Sequence, residues 1–241
     1  MLLAALASVG MIQSQEGAGG AAPMRLSLAY EIEWRLVDAG TATVEIEPST
    51  TRVRVQSQGL VSKLYRVDDR YTTNYDQHQL CTSTVNARWE EGSKRRETSL
   101  TFDRETGKSS YLERDLVKNN VAVQKEMAIP PCLHDVVAGL MRLRGMSLKT
   151  GQSMKVPLSD GKKLAEVKVD AEGQENIKTK AGAFTATRYR VHVFDGVLYN
   201  RKGNLYVWIT NDSKRLPVRI RAQFPFYIGT VTLQLAKEAA L

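Results

Sequence analysis

Residues 205–223 read LYVWITNDSKRLPVRIRAQ. Two runs rich in branched and aromatic residues, 205–210 and 215–223, flank Asn211-Asp212-Ser213-Lys214, the composition of a strand, a turn and a strand. In the second run Leu216, Val218 and Ile220 alternate with Arg215, Arg219 and Arg221, the two-residue period of a strand with one apolar and one polar face. Pro217 lacks a backbone donor, which predicts an edge position or a bulge near the start of that strand. A further strand is expected over 227–235.

The same period extends upstream through most of the chain. Strands are predicted at 26–34, 41–47, 51–58, 65–76, 80–90, 94–103 and 109–114, and no helix is indicated in this half. After the second helix-breaking proline of Ile129-Pro130-Pro131, a short helix is predicted over 135–144. Asp135 or His134 would cap it, and Val136, Leu140 and Leu143 form an apolar stripe. Gly145 is expected to end it in the left-handed conformation. Strands resume at 153–158, 162–171, 175–179 and 184–193, with a turn predicted at Glu172-Gly173. The expected fold is mainly β: one curved antiparallel sheet or open half-barrel, with one short α-helix packed on it. It would occupy 24–237 as a single domain of a 241-residue chain.

The first residues, MLLAALASVGMI, are apolar over too short a run to span a bilayer, which takes ~20 residues. Segment 1–22 reads as a signal peptide or a disordered N-terminal segment, although no Lys or Arg precedes the apolar run. Export to the periplasm or the exterior is the expectation, with no transmembrane segment in the mature protein. Cys81 and Cys132 are the only cysteines. In an oxidising compartment they are expected to pair, the alternative being two buried thiols.

Enzyme signatures are absent: no G-x-S-x-G, phosphate loop, H-E-x-x-H, EF-hand loop or C-x-x-C occurs. Cys132 and His134 are the raw material of a nucleophilic dyad, but pairing of Cys132 would remove the thiolate. No catalytic residue, metal site or cofactor is assigned. The net charge of +8 favours anionic partners in general, yet no nucleic-acid module is recognisable and no nucleic-acid partner is expected. Arg188, Arg190 and His192 alternate with apolar residues as Arg219 and Arg221 do, and Arg52 and Arg54 repeat the pattern. If such strands are neighbours, rows of arginine could hold anionic groups; the simpler reading is an ordinary solvated strand face. Tyr30, Trp34, Trp89 and Trp208 are read as core residues rather than a ligand platform.

An ordered series in the second half carries a family likeness: PCLHDVV at 131–137, LKTGQS at 148–153, TKAGAF at 179–184 and WITNDSKRLPV at 208–218. With Tyr30-x-Ile32-x-Trp34 and Ala39-Gly40-Thr41-Ala42 near the start, it resembles the bacterial exported family called domain of unknown function 3108. The resemblance implies a secreted or periplasmic β-rich protein without an established activity. It also implies a fold like the curved half-barrel of outer-membrane lipoprotein carriers and periplasmic sigma-factor regulators. The function expected is non-catalytic binding of a lipid or other apolar or amphipathic envelope ligand. The alternative is a structural protein that docks an envelope protein or glycan through a sheet edge or basic face.

Overall fold

The computed structural model describes residues 25–240; the predicted export signal lies outside them. The first half runs β1 (Leu26–Trp34), β2 (Val37–Glu47), β3 (Thr50–Ser57), α1 (Gly59–Leu64), β4 (Asp68–Tyr75) and β5 (Thr82–Glu91). It continues through β6 (Lys94–Asp103), β7 (Lys108–Asp115) and β8 (Asn120–Ala128). Then follow β9 (His134–Asp135), α2 (Val136–Arg144), β10 (Ser153–Ser159) and β11 (Leu164–Thr179). The chain closes with β12 (Gly182–Val191), β13 (Asn204–Thr210), β14 (Pro217–Gln223) and β15 (Thr230–Ala240).

These strands form one open sheet of fifteen. β1 is central and pairs with both β2 and β15. The order runs outward through β2 to β8 on one side and from β15 back to β9 on the other. All pairings are antiparallel except the two-residue contact of β9 with β10. Successive connections therefore alternate between two ends. At the front end lie the β1–β2 turn, the β3–β4 connection with α1, and the β5–β6, β7–β8, β10–β11, β12–β13 and β14–β15 connections.

The sheet bends strongly. Lys162, between β10 and β11, places its Nζ 2.7 Å from Oε2 of Glu113 on β7. β7 and β11 stand eleven places apart in the sheet, which at ~4.8 Å per strand would be about 50 Å if it were flat. Gly161, at φ +88°, sits so close to Tyr111 that a Cβ there would lie 2.3 Å from the ring, so glycine is required on both counts.

The bend creates a concave face, and α2 occupies it. Ala138 and Met141 join the central core with Leu28, Tyr30, Leu235 and Val218. Leu143 packs with Val167, Tyr189 and Ile209 from the later strands. Leu133, just before the helix, packs with Val85, Leu100, Phe102 and Tyr111 from the earlier ones. The helix is also fixed at both ends. Asp135 caps it, accepting from Val137 N–H at 2.8 Å and Ala138 N–H at 3.4 Å. The same carboxylate accepts from the hydroxyls of Thr73 (2.6 Å), Thr82 (2.8 Å) and Tyr71 (2.9 Å) on β4 and β5. At the other end Arg144 Nε donates to the Arg215 carbonyl at 2.9 Å, and Arg215 Nε returns a bond to the Arg144 carbonyl at 3.1 Å.

The disulfide joins Cys81 to Cys132, with a Cα separation of 5.1 Å. It stitches the β4–β5 connection to the strand entering the helix, where Thr82 N–H donates to the Leu133 carbonyl.

Several expectations need correction. Gly145 ends α2 at φ −74°, in the right-handed region; the Arg215 guanidinium takes up the free Arg144 and Met146 carbonyls, so no left-handed turn is needed. Glu172-Gly173 is a bulge within one continuous β11, not a turn. Of the two placements expected for the Pro217 strand, the bulge is the one found: β14 is an interior strand, and a register shift opposite Pro217 accommodates its missing donor. Arg215 lies in the turn before β14, outside the arginine row predicted there. β8 went unpredicted because it is mostly exposed, with Val123 and Met127 alone half-buried, and so carries too little alternation. The six-residue α1 was missed for a related reason: it buries none of its residues.

Candidate functional site

The inward positions of the later strands beside α2 are mostly apolar. Val156 and Leu158 on β10, Val169 on β11, Val191 on β12, Leu205 and Val207 on β13 and Ile220 on β14 face α2 across an apolar cavity of about 240 Å³. The helix contributes Val136, Gly139, Leu140 and Leu143, and the β12–β13 connection contributes Val193, Phe194 and Tyr199. A Cβ at Gly139 would stand 2.5 Å from the end of the Leu158 side chain, so the missing side chain lets helix and sheet approach. Burial pushes the Tyr199 phenol up to about 12, with Asp160 and Asp135 acting in the same direction. It is neutral at physiological pH, and the wall carries no charge there.

A second cavity, of about 250 Å³, lies on the same concave face toward the earlier strands. Its character is opposite. Tyr71, Trp89 and Tyr111 supply aromatic walls, and Glu91, Arg96, Glu113, Asp160 and Lys162 supply charge. Arg96 Nη2 reaches Glu91 at 2.8 Å and Nη1 reaches Glu113 at 3.4 Å. Glu113 also accepts from Tyr111 O–H at 2.6 Å and Lys162 at 2.7 Å. The Arg96 Nε is buried without a partner. Beside this cluster burial lifts the Asp69 carboxyl to about 6; the Glu91 charge adds to the lift and a bond from Glu90 N–H opposes it. The cavities flank the N-terminus of α2, since Tyr71 lines the polar one and hydrogen-bonds Asp135.

The polar cavity escaped the sequence reading, although a signal existed. Arg96, Thr98, Leu100 and Phe102 share one side of β6, and a charged residue in line with apolar ones marks an inward polar site.

Arg188, Arg190, Arg219 and Arg221 do come together. Arg188, Trp208 and Arg219 are in register across β12, β13 and β14, as are Arg190, Tyr206 and Arg221. Trp208 and Tyr206 alternate with Val207, so this row lies on the convex face, opposite the apolar cavity. The arginines have partners within the fold. Arg188 pairs with Glu172 at 2.6 Å and Glu175 at 2.7 Å, Arg190 with Asn204, Arg219 with Gln234 and Arg221 with Thr232. The guanidinium groups of Arg219 and Arg221 also cover Trp208, which is buried as expected. His192 Nε2 lies 2.7 Å from Asp170. On the same face Arg52 pairs with Glu47 and Arg54 with Asp68. Tyr30 is buried with its hydroxyl on the Pro217 carbonyl, and Trp89 is half-buried, whereas Trp34 is exposed at the front end.

Cys132 is in the disulfide and is not a thiol nucleophile. Burial lowers the proton affinity of His134, whose Nδ1 bonds the Leu80 carbonyl. Among the described residues no cluster of three or more His, Cys, Asp or Glu is arranged to hold a metal, and no helix is long and apolar enough to cross a membrane.

A solved structure with the same architecture is a β-barrel-like protein of domain of unknown function DUF1849 from Brucella abortus. It is 11% identical, with a TM-score of 0.60 over 91% of this chain and 98% of that one, a likeness of fold alone. Looser matches are a candidate lipoprotein from Parabacteroides distasonis, with 10% identity, 90% and 95% coverage and a TM-score of 0.34, and a candidate exported protein with a YmcC-like fold from Bacteroides fragilis, with 10% identity, 90% and 96% coverage and a TM-score of 0.30. No curated protein gives a significant match. The family described as protein of unknown function (DUF3108) matches residues 29–236, and with Tyr30-x-Ile32-x-Trp34 of the opening strand, the α2 segment and the 208–218 hairpin all inside that match, the chain belongs to this family.

Proposed function

We propose that this protein is a non-catalytic binding protein of the bacterial envelope that holds an apolar chain between α2 and strands β10–β14. The observation that carries the reading is the uncharged cavity of about 240 Å³, lined almost entirely by Val, Leu, Ile and Phe. An apolar space of that volume left empty forgoes up to about 6 kcal/mol of packing, at ~24 cal/mol per Å³, a large share of a typical folding stability. At ~30 Å³ per small group it takes roughly eight methylenes, worth about 6 kcal/mol of transfer before ordering costs. The polar cavity across Tyr71 would receive the head of an amphipathic ligand. The arginine rows lie on the other face and are not placed to share it. The disulfide fits an oxidising compartment.

Titration with the apolar fluorophore N-phenyl-1-naphthylamine tests this reading. Saturable binding is expected, displaced by an eight-carbon fatty acid. Val207→Phe, which fills the cavity from its floor, should weaken it by about tenfold or more. Arg188→Ala should leave it unchanged. Absent or non-saturable binding, or equal affinity in Val207→Phe, refutes the proposal.

The second reading, a docking protein, draws on β8. It is an edge strand of nine residues, exposed along most of its length, and an open edge can accept a partner strand. Crosslinking from Gln124 that captures an envelope protein, with no fluorophore binding, would favour it.

A further inference from the structure

Exposed apolar side chains are not scattered over this molecule. Among the described residues ten large ones are exposed, and all ten lie at the front end of the sheet. The most prominent are Leu36 (93% exposed) in the β1–β2 turn, Leu60 and Leu64 (85%) on α1, and Phe226 (94%) with Tyr227 between β14 and β15. The hairpin turns of the opposite end hold residues such as Asp76, Gln77, His78, Arg104, Glu105, Asn211 and Asp212 instead. A soluble surface carries single apolar residues without consequence, but a patch confined to one end marks a contact.

Charge follows the same division. The front-end connections contain eight Lys or Arg against two Asp; the hairpin turns of the other end contain four against three acids. Apolar and aromatic tips interleaved with cations suit a surface that is anionic outside and apolar just beneath.

The tips are also held rigidly. Trp34 Nε1 donates to the Ile228 carbonyl at 2.8 Å, and Arg35 donates to the carbonyls of Phe226 (2.8 Å) and Tyr227 (2.6 Å). The Arg35 guanidinium lies over the rings of both Trp34 and Phe226. Leu36 has φ +67°, in a turn position that favours Asn or Gly. A leucine there is strained and exposed, and neither property helps the fold.

From these observations we infer that the front end is a docking surface for an anionic lipid bilayer, with the β1–β2 and β14–β15 turns entering the headgroup layer and α1 lying alongside. Phe194 and Tyr199 of the apolar cavity belong to a connection at this same end, so a docked molecule would present the cavity to the membrane. Docking does not depend on the cavity being occupied, and the two ideas fail separately.

The test is flotation of the full chain with vesicles of roughly 3:1 phosphatidylcholine and phosphatidylglycerol, alongside pure phosphatidylcholine. The protein should float with the anionic vesicles, more weakly at high salt, and Trp34 emission should shift to the blue. The triple variant Leu36→Ser, Phe226→Ser, Tyr227→Ser should lose about tenfold or more of the binding, and Leu60→Ser with Leu64→Ser part of it. All five sites are exposed, so folding is checked by an unchanged unfolding midpoint. Lys180→Ser at the other end should bind as the parent does. No flotation, or equal flotation of parent and triple variant, overturns the inference. So does a parent dimer that the triple variant breaks while vesicles go unbound, which would make this end an interface between copies.

Discussion

Replacing Asp135 with asparagine keeps the shape of the side chain and removes its charge and one acceptor. The carboxylate now receives five hydrogen bonds, from Thr73, Thr82, Tyr71, Val137 N–H and Ala138 N–H. Whichever oxygen becomes an amide nitrogen, a hydroxyl can rotate to accept from it but a backbone N–H cannot. One amide at the helix start is therefore orphaned inside the protein, at about 1–3 kcal/mol. The remaining bonds lose their charge assistance, at roughly 1 kcal/mol for each of two or three. We expect Asp135→Asn to destabilise the fold by about 4 kcal/mol, or about 8–16 °C in Tm for a chain of this size. Urea unfolding at neutral pH with the disulfide intact measures it. Because Asp135 joins α2 to β4 and β5, a double-mutant cycle with Thr82→Val should show coupling above about 1 kcal/mol. A loss below about 1 kcal/mol, or strict additivity with Thr82→Val, would refute the view that this carboxylate pins the helix into the concave face.

Other expectations follow from the same contacts. The Asp69 carboxyl, lifted to about 6, binds its proton more tightly folded than unfolded, so it makes the fold less stable as pH rises from about 4 to 6. Asp69→Asn keeps the acceptor for Glu90 N–H, and its stability relative to the parent should improve across that window by about 1–3 kcal/mol; a pH-independent difference in urea midpoints would count against it. Reducing the Cys81–Cys132 bond, which spans 51 residues, should lower stability by about 4 kcal/mol in the chain-entropy model; unfolding curves with and without reductant decide this, and a change under about 1 kcal/mol sinks it. Arg215→Ala strips the carbonyls of Arg144 and Met146 of their donors, so amide exchange should quicken in the last turn of α2 before the first; uniform exchange along the helix contradicts the clamp.

The sheet was legible wherever one face of a strand is buried and the other wet. β1 alternates from Leu26 to Glu33 and gives way only at the exposed Trp34, and the predicted 26–34 matches it; the 94–103 strand matches β6 as well. The reading failed where that contrast disappears. β8 is exposed along most of its length, and β11 passes through a bulge whose Glu172-Gly173 imitates a turn. The helix was found from its cap, Asp135, and from its stripe of Val136, Leu140 and Leu143. What no local pattern could reveal was which distant strands share the concave face. Lys162 and Glu113 are brought together by the bend of the whole sheet, so the polar cavity is a property of the tertiary fold. The lining of the apolar cavity likewise depends on which strands the bend brings opposite α2, and the arginine rows were foreseen in sequence but not in side.

The seam between β1 and β15 runs down the middle of the sheet, pairing Leu26 with Ala240 and Trp34 with Val231. β15 is therefore the strand that unites the two wings. Without β15, β1–β8 and β10–β14 are separate meanders, each with a bare inner edge, held to one another by α2, the disulfide and contacts across the concave face such as that of Lys162 with Glu113. Joining the wings must wait for residues 230–240, and their removal would take out a keystone rather than a fringe.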